Sequence, residues 1–120
     1  MKEIQIQSYF DREINQCKIL SRNLMEDGRE DEAIFAKIRG NVFEIFNTIF
    51  NVGIRSSSGF DERVYQFFLE RLEQILQNWE HSRENAKNYH EAEKEFIESI
   101  KLETANQIKG EFQRIWEGQL

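Results

Sequence analysis

The chain contains no proline. The strongest breaker of a helix interior is therefore missing from all 120 residues. Cysteine occurs once, as Cys17. One thiol closes no internal disulfide, so an oxidised, stapled framework is excluded. Glycine is sparse, with six residues, and marks the few places where a helix should stop. Asn and charged residues interrupt every apolar cluster before it reaches the length of a bilayer span. The opening segment Met1–Gln7 carries no apolar run of the kind a secretory leader needs. Bases are outnumbered, 16 against 22 acids, for a net charge of −6. That balance argues against nucleic acid or an anionic membrane as the main partner, since both are held through clustered Lys and Arg. By elimination, a cytoplasmic location is expected.

What remains is rich in large apolar side chains. Ten Phe, two Trp and three Tyr make the chain too apolar for intrinsic disorder. Its length fits a single helical domain over residues 1–120 with a core of its own.

Helical periodicity runs through nearly the whole sequence. At about 100° per residue, Ile6, Tyr9, Phe10, Ile14, Cys17, Leu20, Leu24 and Met25 share one broad face of a first helix, from about Ile4 to Asp27. Gly28 suits the left-handed position that closes a helix. Asp31 is the expected N-cap of the next one. That second helix, from about Glu32 to Asn51, carries Ile34, Phe35, Ile38, Val42, Phe43, Ile45, Phe46, Ile49 and Phe50 around half its circumference. A face so wide should touch at least two other helices. The run Arg55–Gly59 is the clearest loop. A third helix opens at Asp61, a good cap, and continues through Val64, Phe67, Phe68, Leu72, Ile75, Leu76 and Trp79. A last helix, from about Tyr89 to Trp116, shows a ladder of Phe96, Ile100, Thr104, Ile108, Phe112 and Trp116. Pure four-residue steps drift around a helix by about 40° each. Trp116 and Leu120 are therefore expected to face something the rest of that helix does not, which makes Phe112, Trp116 and Leu120 candidate interface residues.

The expected fold is all-α: a bundle of four antiparallel helices with up-down connections and a hairpin near Glu80–Asn88. An alternative is three helices, the last unbroken from about residue 61 to 117. Such a helix would have ends without an intramolecular partner and would require a dimer.

Two local resemblances stand out. Leu20, Ser21, Leu24, Gly28, Glu32-Ala33-Ile34 and Gly40 resemble the turn of a tetratricopeptide repeat, over one helical hairpin; no copy follows 34 residues on. Arg83 and His90, separated by six residues, resemble the Arg-x(4–6)-His signature of the HEPN class of small all-α ribonucleases. The resemblance implies that Arg83 and His90 would act on a scissile phosphate, usually across a dimer interface. The acids around them, Glu80, Glu84, Glu91, Glu93 and Glu95, oppose RNA binding.

Other chemistry is thin. Di-iron bundles place Glu-x-x-His pairs inward. Here Asn78 and Lys87 stand three before His81 and His90, so the motif is missing. No metal and no cofactor are expected. Cys17 reads as a buried small hydrophobe. Glu13 and Arg39 each fall near an apolar stripe on neighbouring helices, either as a buried pair or as side chains snorkelling to water. The acid-rich stretch Glu91–Glu103 reads as a solvated face. Together these features suggest a non-enzymatic interaction or scaffold protein whose partner is a protein, above all a second copy of itself. The HEPN-like ribonuclease is the alternative.

Overall fold

Four helices follow one another along the chain: α1 (Lys2–Glu26), α2 (Glu30–Arg55), α3 (Glu62–Asn88) and α4 (Ala92–Trp116). They form a four-helix bundle, and no strand occurs among the described residues. This computed structural model describes residues 1–57 and 59–118. The hairpin expected between the third and fourth helices is present, so the unbroken helix over 61–117 is not formed. Its turn falls at Tyr89–Glu91, later than the Glu80–Asn88 stretch that the thinning apolar signal marked. The polar residues after Trp79 are good helix formers, and the fully buried Ala86 holds the last turn of α3 in place.

Two of the three connections share one geometry. After α1, the Arg29 amide donates to the Leu24 carbonyl and the Gly28 amide to that of Met25. After α3, the Glu91 amide donates to Ala86 and the His90 amide to Lys87. Both are Schellman closures. The left-handed residue is Gly28 (φ 76°) in the first and His90 (φ 58°) in the second. Arg29, not Asp31, takes the N-cap position of α2. The tight turn starts that helix at Glu30, so Glu30, Asp31 and Glu32 all lie in its first turn, beside the positive end of its dipole. Asp61 caps α3 as its residue type demands, its Oδ1 accepting from the amides of Arg63 (2.9 Å) and Val64 (3.1 Å).

The shared turn geometry extends to the packing. A shift of 62 residues, the spacing of Gly28 and His90, carries most buried positions of the first two helices onto buried positions, Tyr9 and Ala33 excepted. Ile6 maps to Phe68, Phe10 to Leu72, Leu24 to Ala86, Phe46 to Ile108 and Phe50 to Phe112. The bundle is thus two equivalent helical hairpins. They meet along α2 and α4, which run parallel: Phe35 packs edge-on against Phe96 (4.9 Å) near one end and Phe50 against Phe112 (6.2 Å) near the other. The centre is aromatic, with Phe10, Phe46, Phe50, Phe68 and Phe112 all essentially without solvent contact.

Of the expected ladder of α4, Thr104, Ile108 and Phe112 are buried, but the core stripe departs from it at both ends. It runs Glu98, Leu102, Ala105, Ile108, Phe112, Ile115, in steps of three and four residues as a helix face should. Phe96 lies half-exposed at its edge. In α2, Ile34 and Ile45 point outward instead of joining the core.

Gly40 permits a close approach of α2 to α1. A Cβ built there would stand 3.1 Å from the Cβ of Cys17. A bulky side chain would wedge α1 from α2. Gly40→Leu is therefore expected to destabilise by roughly 1–3 kcal/mol, measured by urea denaturation, with Gly40→Ala milder. An unchanged midpoint for the leucine variant would show that the hairpin has slack.

Candidate functional site

The residues singled out from sequence do not converge. Arg83 sits near the end of α3 and forms an ion pair with Glu80. His90 is exposed, and its backbone closes the turn. No hydrogen bond or ion pair joins the two among the described residues. His90 holds a conformation that a side chain disfavours. His90→Gly is accordingly expected to raise stability by about 0.5–1 kcal/mol. A thermal melt that drops instead would show that the imidazole makes a stabilising contact.

Glu13 and Arg39 are not a buried pair. Both are only partly buried. The Glu13 carboxylate accepts from the neighbouring Arg12 (3.4 Å). Arg39 lies along a shallow groove with Leu20, Leu24 and Phe35. Their long side chains reach water along apolar surface, as snorkelling requires. Both still act on Cys17: its thiol is pushed up by burial and by Glu13, against the opposing effect of Arg39. Such a thiol is not activated.

Phe112 is a core residue, 2% exposed and stacked on Phe68 (4.0 Å). Trp116 is also engaged within the chain. It stacks on Tyr65 (4.5 Å), meets Phe60 edge-on (5.2 Å) and lies under the Lys2 ammonium (4.6 Å), which also bonds its carbonyl. The buried stripe keeps Thr104, Ile108 and Phe112 of the expected ladder and ends on Ile115, so this end of α4 faces inward. Leu120 falls outside the described residues.

The polar group that matters most to the core was taken from sequence as part of a solvated face. Glu98 is 5% exposed. Its Oε1 accepts from Lys101 (2.9 Å), whereas its buried Oε2 has no partner. Lys101 in turn lies over the Trp79 ring (5.2 Å). The available signal was register: Glu98 precedes Leu102 by four and Ala105 by seven.

Tyr9 is the buried phenol. Burial, then the charges of Glu13 and Glu111, push its pKa far above the ordinary 10.0. The folded chain therefore holds this proton more tightly than the unfolded chain. The stabilisation is full below pH 10 and is lost as pH rises beyond it. Tyr65 shifts in the same direction through burial. Tyr9→Phe should flatten the decline in stability between about pH 10 and 12. An identical decline in wild type and variant would assign it elsewhere.

The two hairpins provide an internal control for surface chemistry. On α4, the 62-residue shift places Glu103, Gln107, Gly110 and Arg114, all exposed, where α2 has Asn41, Ile45, Thr48 and Val52, whereas the equivalents of Ile34 and Ile38 are the apolar Phe96 and Ile100. The α2 face is different. Ile34, Ile45 and Val52 are 48%, 40% and 40% exposed, and the half-buried Ile38 lies between them. The side toward α1 holds Ala33, Ala36 and Gly40, and the side toward the core holds Phe43, Phe46 and Phe50. So α2 is apolar on three sides, although the bundle covers only two. Beside the outward stripe, between α1 and α2, lies a groove of about 530 Å³. Cys17 and Gly40 lie at its base, where the two helices are in close contact, and Lys37, Asn41 and Glu44 line its α2 side.

No helix among the described residues is long and apolar enough to cross a membrane. No group of three or more His, Cys, Asp or Glu side chains among them is arranged to hold a metal ion. No family model matches the chain, and neither a curated protein nor a solved structure does.

Proposed function

We propose that this protein is a non-enzymatic interaction module that associates with a second copy of itself through the outward face of α2. One observation carries the reading. At the equivalents of Ile45 and Val52, α4 carries the exposed Gln107 and Arg114, so the fold does not require aliphatic residues at those two positions, yet α2 presents Ile45 and Val52 there, in line with Ile34 and Ile38. Apolar residues on a helix beyond the faces its own bundle covers mark a contact surface. The net acidic charge and the separation of Arg83 from His90 favour this over phosphate chemistry. A lone, unactivated thiol is compatible with a cytoplasmic setting.

Light scattering coupled to size exclusion tests it. The unaltered chain should run as a dimer at micromolar concentration, and Ile45→Glu should run as a folded monomer. A monomer at high micromolar concentration would overturn the proposal. RNA cleavage that disappears in His90→Ala would favour the ribonuclease instead.

A further inference from the structure

The outward residues of α2 have a rhythm of their own. Ile34, Ile38, Asn41, Ile45, Thr48 and Val52 are spaced four, three, four, three and four. That is the seam of a two-stranded coiled coil, with β-branched Ile38, Ile45 and Val52 at every a position. It spans about 27 Å, five turns of helix. The inner residues of α2 already serve the bundle, and apart from the half-buried Ile38 the seam residues are left exposed by the described residues. A seam of this kind is complementary to another copy of itself.

We infer that two copies pair through α2 in parallel and in register, about a two-fold axis running alongside the helices. This rests on the reading of that face as the contact surface. Two features select the orientation. Asn41 is the one amide in the seam. In parallel register it meets the partner's Asn41, and the two amides satisfy each other. In an antiparallel pair over the same length it faces the partner's Ile45 and loses its hydrogen bonds. Charge gives the same answer. The antiparallel pair sets Glu44 beside the partner's Glu44, where two anions repel. The parallel pair keeps Lys37 and Glu44 on opposite flanks of the seam from their counterparts. Sliding the antiparallel pair to match Lys37 with Glu44 leaves Val52 uncovered and sets Asn41 against Ile38. A single short seam lies at the low end of stable interfaces, so a micromolar dimer is expected.

Disulfide trapping in the full chain tests the orientation. On a Cys17→Ser background, Ile34→Cys and Val52→Cys are made separately and oxidised mildly, alone and mixed. Parallel pairing brings each position to its own counterpart, within reach of a disulfide. Ile34→Cys alone should then trap nearly completely as a covalent dimer, with no preference for the mixed product. A protein that remains dimeric by light scattering, but cross-links only when the two variants are mixed, would overturn the orientation and leave self-association standing. A persistent dimer that traps in neither case would place the contact on another face. A monomeric unaltered chain would remove the proposed function together with this inference.

Discussion

Truncation of Phe68 to alanine is expected to cost about 3–5 kcal/mol, a large share of the stability of a domain this size. Phe68 has no solvent exposure. Its ring contacts Phe10 from α1 (6.3 Å), Phe46 and Phe50 from α2 (6.0 and 6.3 Å) and Phe112 from α4 (4.0 Å). Among the described residues it shares with Phe50 the property that its ring meets rings from all three other helices. Removing it loses the transfer energy of the ring and leaves a void bounded by other rings. Aromatic side chains are rigid, so that void closes poorly. Equilibrium urea denaturation should show the midpoint falling by roughly 2 M or more at an ordinary denaturant slope. A loss under about 1 kcal/mol would show that the hairpins slide together and fill the space.

Replacing Glu98 by methionine should act in the opposite direction, stabilising by about 1–3 kcal/mol. The carboxylate is buried, and only one of its oxygens is bonded. Lys101 is partly exposed and can turn to water when its partner is removed. Burying a charge is expensive, and one ion pair with a partly solvated lysine offsets it poorly. Methionine fills a similar volume and adapts its shape to the site. The equivalent position in the other hairpin is Ala36, fully buried, so the fold does not need a charge there. Thermal melts of wild type and Glu98→Met decide the point. A variant less stable by more than about 1 kcal/mol would mean that the second oxygen is satisfied in solution and that the acid contributes to folding.

The helices were legible in the sequence because a period near 3.6 dominates it. The Asp61 cap and the Gly28 stop were legible because few residue types suit those positions. Three features were not, each for a physical reason. The α4 stripe was misread because Phe96 and Ile100 complete a hydrophobic ladder, whereas the true stripe begins at a carboxylate. The His90 turn carries no glycine, so nothing in its composition announces a left-handed backbone. The outward seam of α2 was merged with the core because a helix apolar on three sides gives no contrast between them. Gln107 and Arg114, the α4 counterparts of Ile45 and Val52, show that the fold does not need aliphatic residues at those two positions. Trp116 looked free because its partners are remote in sequence: Lys2, Phe60 and Tyr65 reach it only after folding.

That last contact has a consequence for connectivity. Lys2 holds the Trp116 carbonyl, and its side chain lies beside Gly118, so opposite ends of the described chain are neighbours in space. A short tether from Gly118 to Met1, with a new opening in the segment 56–60, would reverse the order in which the hairpins are synthesised. It would leave each helix and each Schellman turn uncut. Such a rearranged gene product should reach the same native state, with altered folding kinetics if one hairpin must nucleate the other.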